Sequence, residues 1–103
     1  MTSVAFVTAV SGLSASALRA QTAAYNIANA NTANFAPLKV QTSTQTANGQ
    51  GVGVKADVIE SQGPNDLASN IVDLNMASVA YSANATVIRT LDQIGRHTID
   101  LLA

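Results

Sequence analysis

From Asn65 to Leu102 the chain contains no proline and one glycine, Gly95, and its apolar residues return every three or four positions. As a helix, a segment of about 38 residues would be about 57 Å long, far beyond the average globular helix. Something of comparable length must lie beside it. The start is well marked: Pro64 lies ahead of the helix, Asn65 can cap it, and Asp66 places a negative charge in its first turn. One stripe runs through Leu67, Ile71, Leu74, Ser78, Tyr81, Ala85, Ile88, Gly95, Ile99 and Leu102. A neighbouring stripe runs through Val72, Met76, Val79, Ala83, Val87, Leu91 and Ile94. Two adjacent stripes predict contact on more than one side.

The natural companion is the other end of the chain. Between Ser3 and about Ala30 the helical spacing holds through Phe6/Val7, Val10, Leu13, Ala17, Ala20, Ala24 and Ile27/Ala28. Recurrence alternating three and four is the seam of a helix lying along another helix. Such a helix would be about 42 Å long, and Gly12 would cost it roughly 1 kcal/mol relative to alanine. Its flanks are Ser, Thr, Gln and Asn, and so small a seam leaves it marginal until it meets a partner. The predicted fold is mainly α: two long terminal helices paired as an antiparallel coiled-coil-like hairpin, with a small β-hairpin or loop excursion between them. A single domain spans 1–103, with an N-terminal helix over 1–31, the excursion over 32–64 and a C-terminal helix over 65–102. Val10, Leu13, Ala17 and Ala24 are expected to pack on Leu67, Ile71, Leu74, Tyr81, Ile88 and Ile99. The second stripe (Val72, Met76, Val79, Val87, Leu91, Ile94) is expected to face other subunits.

Between the helices the character changes. Four asparagines fall between Asn26 and Asn34, closed by Phe35. Asparagine bonds nearby backbone and tolerates the left-handed conformation that ends helices. Pro37 then stops any helix. Leu38, Val40 and Thr42 alternate with polar residues, Ser43–Gln50 reads as a polar loop, and Val52, Val54, Ala56 and Val58 alternate again. Two short strands forming a marginal hairpin follow.

Composition narrows the function. Charged residues are 11% of the chain, against roughly 25% for a soluble domain. Apolar residues reach 48%, and aromatic residues only 4%. Arg19 is the only charge between Met1 and Leu38. A monomer needs a charged coat, so this surface is expected to be covered by other protein. A net charge of −1 gives no electrostatic case for nucleic acid or an anionic membrane, and no lipid anchor is expected. There are no cysteines, hence no disulfides or thiolate metal sites. No basic residue precedes the apolar N-terminus, and Thr, Ser and Gly interrupt it, which argues against a cleaved secretory signal. No run approaches a membrane span. Catalysis has little to stand on. His97 is the single histidine and has no Cys or paired carboxylate beside it, Asp57 and Glu60 lack further ligands as a metal pair, and Asn84-Ala85-Thr86 is a chance glycosylation match. Neither enzyme activity nor a cofactor is expected.

The residues at both ends resemble one family. Ser11-Gly12-Leu13-Ser14-Ala15 followed by Tyr25–Phe35 looks like the N-terminal signature of bacterial flagellar axial proteins (rod and hook), which reads Asn-Ile-Ala-Asn, then small-Asn-Thr, then usually Pro-Gly-Phe. Residues 65–102 are similar to the family's C-terminal helix, most clearly at Ala80-Tyr81-Ser82-Ala83-Asn84, Val87-Ile88, Thr90 and Leu101-Leu102. Gly51-Val52-Gly53-Val54 and Gln62-Gly63-Pro64 also fit. The chain departs at Ala33-Asn34, where the family usually has Pro-Gly, and it carries no large insert between the helices. The resemblance implies a short, proximal-rod-type structural subunit that assembles axially with copies of itself and with other flagellar axial proteins. It implies passage through the flagellar type III export apparatus without a cleaved signal, and a place in the periplasm-spanning rod of the basal body. In that family Asn26, Ile27, Ala28, Asn29, Asn31, Thr32, Asn34 and Phe35 would form the junction that locks the first helix and orients the excursion. The alternative is a helical-hairpin paralogue that dimerises or binds a partner without building a rod.

Overall fold

The computed structural model describes residues 2–102. The chain is mainly helical, with two helices and a small antiparallel two-stranded sheet between them: α1 (Thr2–Ala28), β1 (Leu38–Ala47), β2 (Gln50–Glu60) and α2 (Leu67–Leu102). The expected helix start at Met1 lies outside the described residues. The molecule is a slab of 63 × 27 × 13 Å. Its radius of gyration of 17.3 Å exceeds the roughly 13 Å of a compact chain of about 100 residues.

The two helices lie side by side with opposed directions. Asn26 meets Asn70, Gly12 abuts Asn84, and Phe6 and Val7 share a cleft with Leu91, Gly95 and Ile99. Between Gly12 and Asn26 the two contacts that fix the level, Gly12 with Asn84 and Asn26 with Asn70, join residues whose numbers add to 96. Among the described residues the buried helical positions are Ala9, Ala15, Ser16, Thr22, Ala23 and Asn26 on α1, and Asn70 and Ala77 on α2. Among the described residues no large side chain is fully buried. This corrects the expected seam. Val10, Ala17, Ala24, Leu67, Ile71, Tyr81 and Ile99 are exposed, and Leu13, Leu74 and Ile88 are only half-buried. On α1 the contact line lies one position away and uses mostly short residues, because two helices approach closely only where side chains are short. Gly12 is the clearest case: a Cβ there would stand 2.9 Å from Asn84 Oδ1. The helical cost of that glycine is offset by close approach.

The sheet is longer than expected. Ser43–Ala47 belongs to β1 rather than to a loop, and the strands join through Asn48 (φ 54°) and Gly49 (φ 80°), the positive dihedrals a two-residue I′ turn requires. Gln45 pairs with Gly53 and Thr46 with Gly51, so Val52 is a bulge. At the base Ser61 N–H donates to Pro37 O at 2.8 Å. The hairpin lies on α1. Val54 N–H donates to Ser11 Oγ at 3.1 Å, Ser11 Oγ donates to Thr8 O at 2.7 Å, and Arg19 reaches Thr42 Oγ1 at 3.3 Å. Gly53 (φ 141°) is buried here, where a Cβ would come within 2.5 Å of Ser11 Oγ.

The start of α2 is also rearranged. Asp66, not Asn65, is the cap: its Oδ1 accepts from Ala68 N–H at 3.1 Å. Asp92 and Arg96 pair at 3.1 Å on the exposed face of α2.

Candidate functional site

The asparagine run ends α1 by giving partners to three of the four carbonyls of its last turn. Tyr25 O accepts from Asn29 N–H at 3.2 Å and from Asn29 Nδ2 at 2.9 Å. Asn26 O accepts from Asn65 Nδ2 at 2.9 Å, and Ile27 O from Ala30 N–H at 3.1 Å. The helix therefore stops at Ala28, three residues short of the expected boundary, and tightens into turns closed by Thr32 N–H to Asn29 O at 3.0 Å.

Asn26 is the centre of the junction, at 3% exposure. Its Oδ1 accepts from Leu38 N–H at 2.9 Å while its Nδ2 donates to Leu38 O at 2.7 Å, so the amide pairs with the first residue of β1 as a neighbouring strand would. The same Nδ2 lies 3.5 Å from Asn70 Oδ1, and Asn70 Nδ2 donates to Asn65 Oδ1 at 2.6 Å. Three asparagines thus tie together the end of α1, the start of β1 and the start of α2. Thr32 Oγ1 donates to Asn29 Oδ1 at 3.1 Å. Asn34 has φ 58°, a left-handed backbone at the position where the resembled signature has glycine. Phe35 packs against Tyr25 with ring centroids 5.3 Å apart and planes tilted by 56°. Ile27 is half-buried and Ala28 exposed. Asn31 is a correction to the expected set: it is exposed and bonds nothing through its side chain. Sequence reasoning missed Asn65 and Asn70 as members of this network; their signal was that each is an asparagine at or near the start of a helix, where one cap suffices.

Around the seam the apolar residues fall on two flanks. At 100° per residue, Phe6, Val10, Leu13, Ala17 and Ala24 of α1 lie on the side turned away from the hairpin. Leu67, Ile71 and Tyr81 of α2 lie on that same side, while half-buried Leu74 and Ile88 border the seam and Ile99 lines the cleft with Phe6 and Val7. Part of the set expected to form the internal seam is instead an outer face of the helix pair, with Tyr81 44% exposed. The second stripe of α2, with Val72, Met76, Val79, Val87 and Ile94, lies on the opposite, hairpin-side flank and is exposed along its length, up to 70% at Val79. Leu91 departs from that group: it is half-buried in the cleft with Phe6 and Val7.

Beside the second stripe runs a groove of about 460 Å³, floored by α1 and walled by the hairpin and α2. Arg19, Lys39 and Asp73 line it together with Val40 and Met76. Among the described residues no three His, Asp or Glu side chains gather as a metal site, and no helix is long and apolar enough to cross a membrane.

In comparisons with known proteins, no family model matches the chain, and no curated protein matches it significantly.

Proposed function

We propose that this chain is a structural subunit that builds an axial assembly of the bacterial flagellar rod type, using its two helices as a coiled-coil-like antiparallel unit that neighbouring copies cover. One observation carries the reading: apolar flanks lie on opposite sides of the helix pair, so each copy can hold two neighbours at once. Contacts of that kind join unlike surfaces, and they generate rings where the rotation between copies closes and helical filaments or tubes where it does not. The accessible surface points the same way. It measures 7126 Å². A folded monomer of this mass is expected to expose about 5,400 Å². The interior contributes little to stability, since among the described residues of the helices the buried apolar side chains are those of four alanines, Ala9, Ala15, Ala23 and Ala77.

The family-level part rests on the resemblance at the two ends of the chain and on Asn34, whose left-handed backbone lets the Ala33-Asn34 variant keep the turn of a Pro-Gly junction. On this reading the partners are further copies and other flagellar axial proteins. The chain travels unfolded through the type III export apparatus and resides in the rod of the basal body.

Sedimentation velocity across a concentration series, with negative-stain microscopy of the concentrated sample, tests the proposal. Growth to polydisperse filaments or tubes is expected. A discrete dimer at every concentration would favour a dimerising helical hairpin and remove the rod reading.

A further inference from the structure

We infer that neighbouring copies stack parallel and at the same level, with the hairpin-side stripe of α2 in one copy packed against the hairpin-free flank of α1 in the next. The inference rests on the assembly reading and specifies its contact. Because residues whose numbers add to 96 stand level, parallel copies set side by side place Val79 of one opposite Ala17 of the next. Met76 then falls opposite Ala20, and Val72 opposite Ala24. Further along, Leu13 falls opposite Ala83. At each of these four levels a larger residue meets an alanine, so the surfaces interlock without a shift along the axis. Val79 is 70% and Met76 64% exposed, so the ridge stands free in the single chain. No charged residue occupies any of the eight positions, so packing them together desolvates no ion.

A second copy is the occupant because the molecule's excess exposure has the size of what two interfaces take from one copy. The roughly 1,700 Å² by which its surface exceeds a compact monomer's is close to the roughly 800 Å² a standard interface takes from each partner, counted once on each of its two flanks. The helices in contact run in opposite directions, as α1 and α2 do within one chain. The contact therefore repeats the internal packing mode between copies. Since it joins different surfaces, it adds copies until the rotation closes a ring or, where it does not close, continues as a helix.

The chain has no cysteine, so disulfide trapping reads this register directly. A chain carrying both Ala17→Cys and Val79→Cys, oxidised after assembly, is expected to give a ladder of covalent oligomers. The single variants mixed together are expected to stop at the dimer. Ala17→Cys combined with Val72→Cys, displaced by about 10 Å along the helix, is the off-level control and is expected to stay monomeric. Circular dichroism checks that each variant keeps its helices. Filaments by microscopy without a 17–79 ladder would overturn the register alone. Strong dimer formation by either single variant by itself would also overturn it, because it indicates two-fold packing. Absence of any assembly at high concentration would overturn both the register and the proposed function.

Discussion

Replacing Asn26 by alanine removes the amide on which three elements converge. The substitution deletes the bonds to Leu38 N–H at 2.9 Å and Leu38 O at 2.7 Å, and the longer contact to Asn70 at 3.5 Å. Each intact bond contributes about 1 kcal/mol net, and a partly buried donor or acceptor left without a partner costs about 1–3 kcal/mol. Leu38 sits at the base of β1, half-buried, and has no second strand on that edge to replace the amide. The expected loss is therefore about 2–4 kcal/mol, a large share of the roughly 5–15 kcal/mol typical of a folded domain. Urea unfolding of dilute, unassembled protein, followed at 222 nm, measures it. Asn26→Asp should cost at least as much, because a carboxylate keeps the Leu38 N–H bond but faces Leu38 O without a proton to donate. A cost below about 0.5 kcal/mol for Asn26→Ala would refute the idea that this amide organises the junction, since surface substitutions without structural roles fall in that range.

Gly12→Ala should fail to give the roughly 1 kcal/mol gain usual for glycine to alanine in a helix, because its methyl group meets Asn84. The gain should return in Gly12→Ala/Asn84→Ala, as read from urea midpoints. Gly53→Ala places a side chain at φ 141° against Ser11 and should destabilise by about 1–3 kcal/mol, with the loss seen in thermal unfolding. Asn34→Val should destabilise by about 1–2 kcal/mol while Asn34→Gly stays near neutral, since only the backbone at φ 58° distinguishes them. Assembly should survive salt. The two ion pairs, Lys55–Asp57 and Asp92–Arg96, are exposed, so raising sodium chloride tenfold should not dissolve the oligomers, and sulfate should strengthen them. Dissociation by salt in the same sedimentation assay would point to an electrostatic interface instead.

The long helices and their order were legible because periodicity over dozens of residues survives any local noise. The seam was not. A wheel reading assigns the largest apolar residues to the contact, and so it chose Leu67, Ile71 and Tyr81, whereas the chain buries Ala9, Ala23 and Ala77 along the seam and leaves those large residues exposed. That choice makes sense only if the outside is also an interface, which a single-chain reading of one helix cannot weigh. The hairpin was half legible. Ser43–Ala47 is polar on both faces because that end of β1 leaves the body of the molecule, so no alternation marks it. The dipeptide Asn48-Gly49 was the usable signal. The junction was the reverse case: the density of asparagines announced a side-chain-bonded helix end, and Asn34 was identifiable as the residue able to stand where glycine usually does. Which asparagines bonded to which required the fold, because Asn65 and Asn70 are far from Asn26 in sequence.

The central claim is that α1 owes much of its order to neighbouring copies. Hydrogen exchange followed by mass spectrometry tests it most directly, comparing dilute protein with the assembled form at the same pH. With only alanine methyls and short polar side chains buried along α1, its amides are expected to exchange rapidly in the dilute chain and to slow by about two orders of magnitude or more on assembly. Strong protection of α1 in a proven monomer, unchanged at high concentration, would contradict the account.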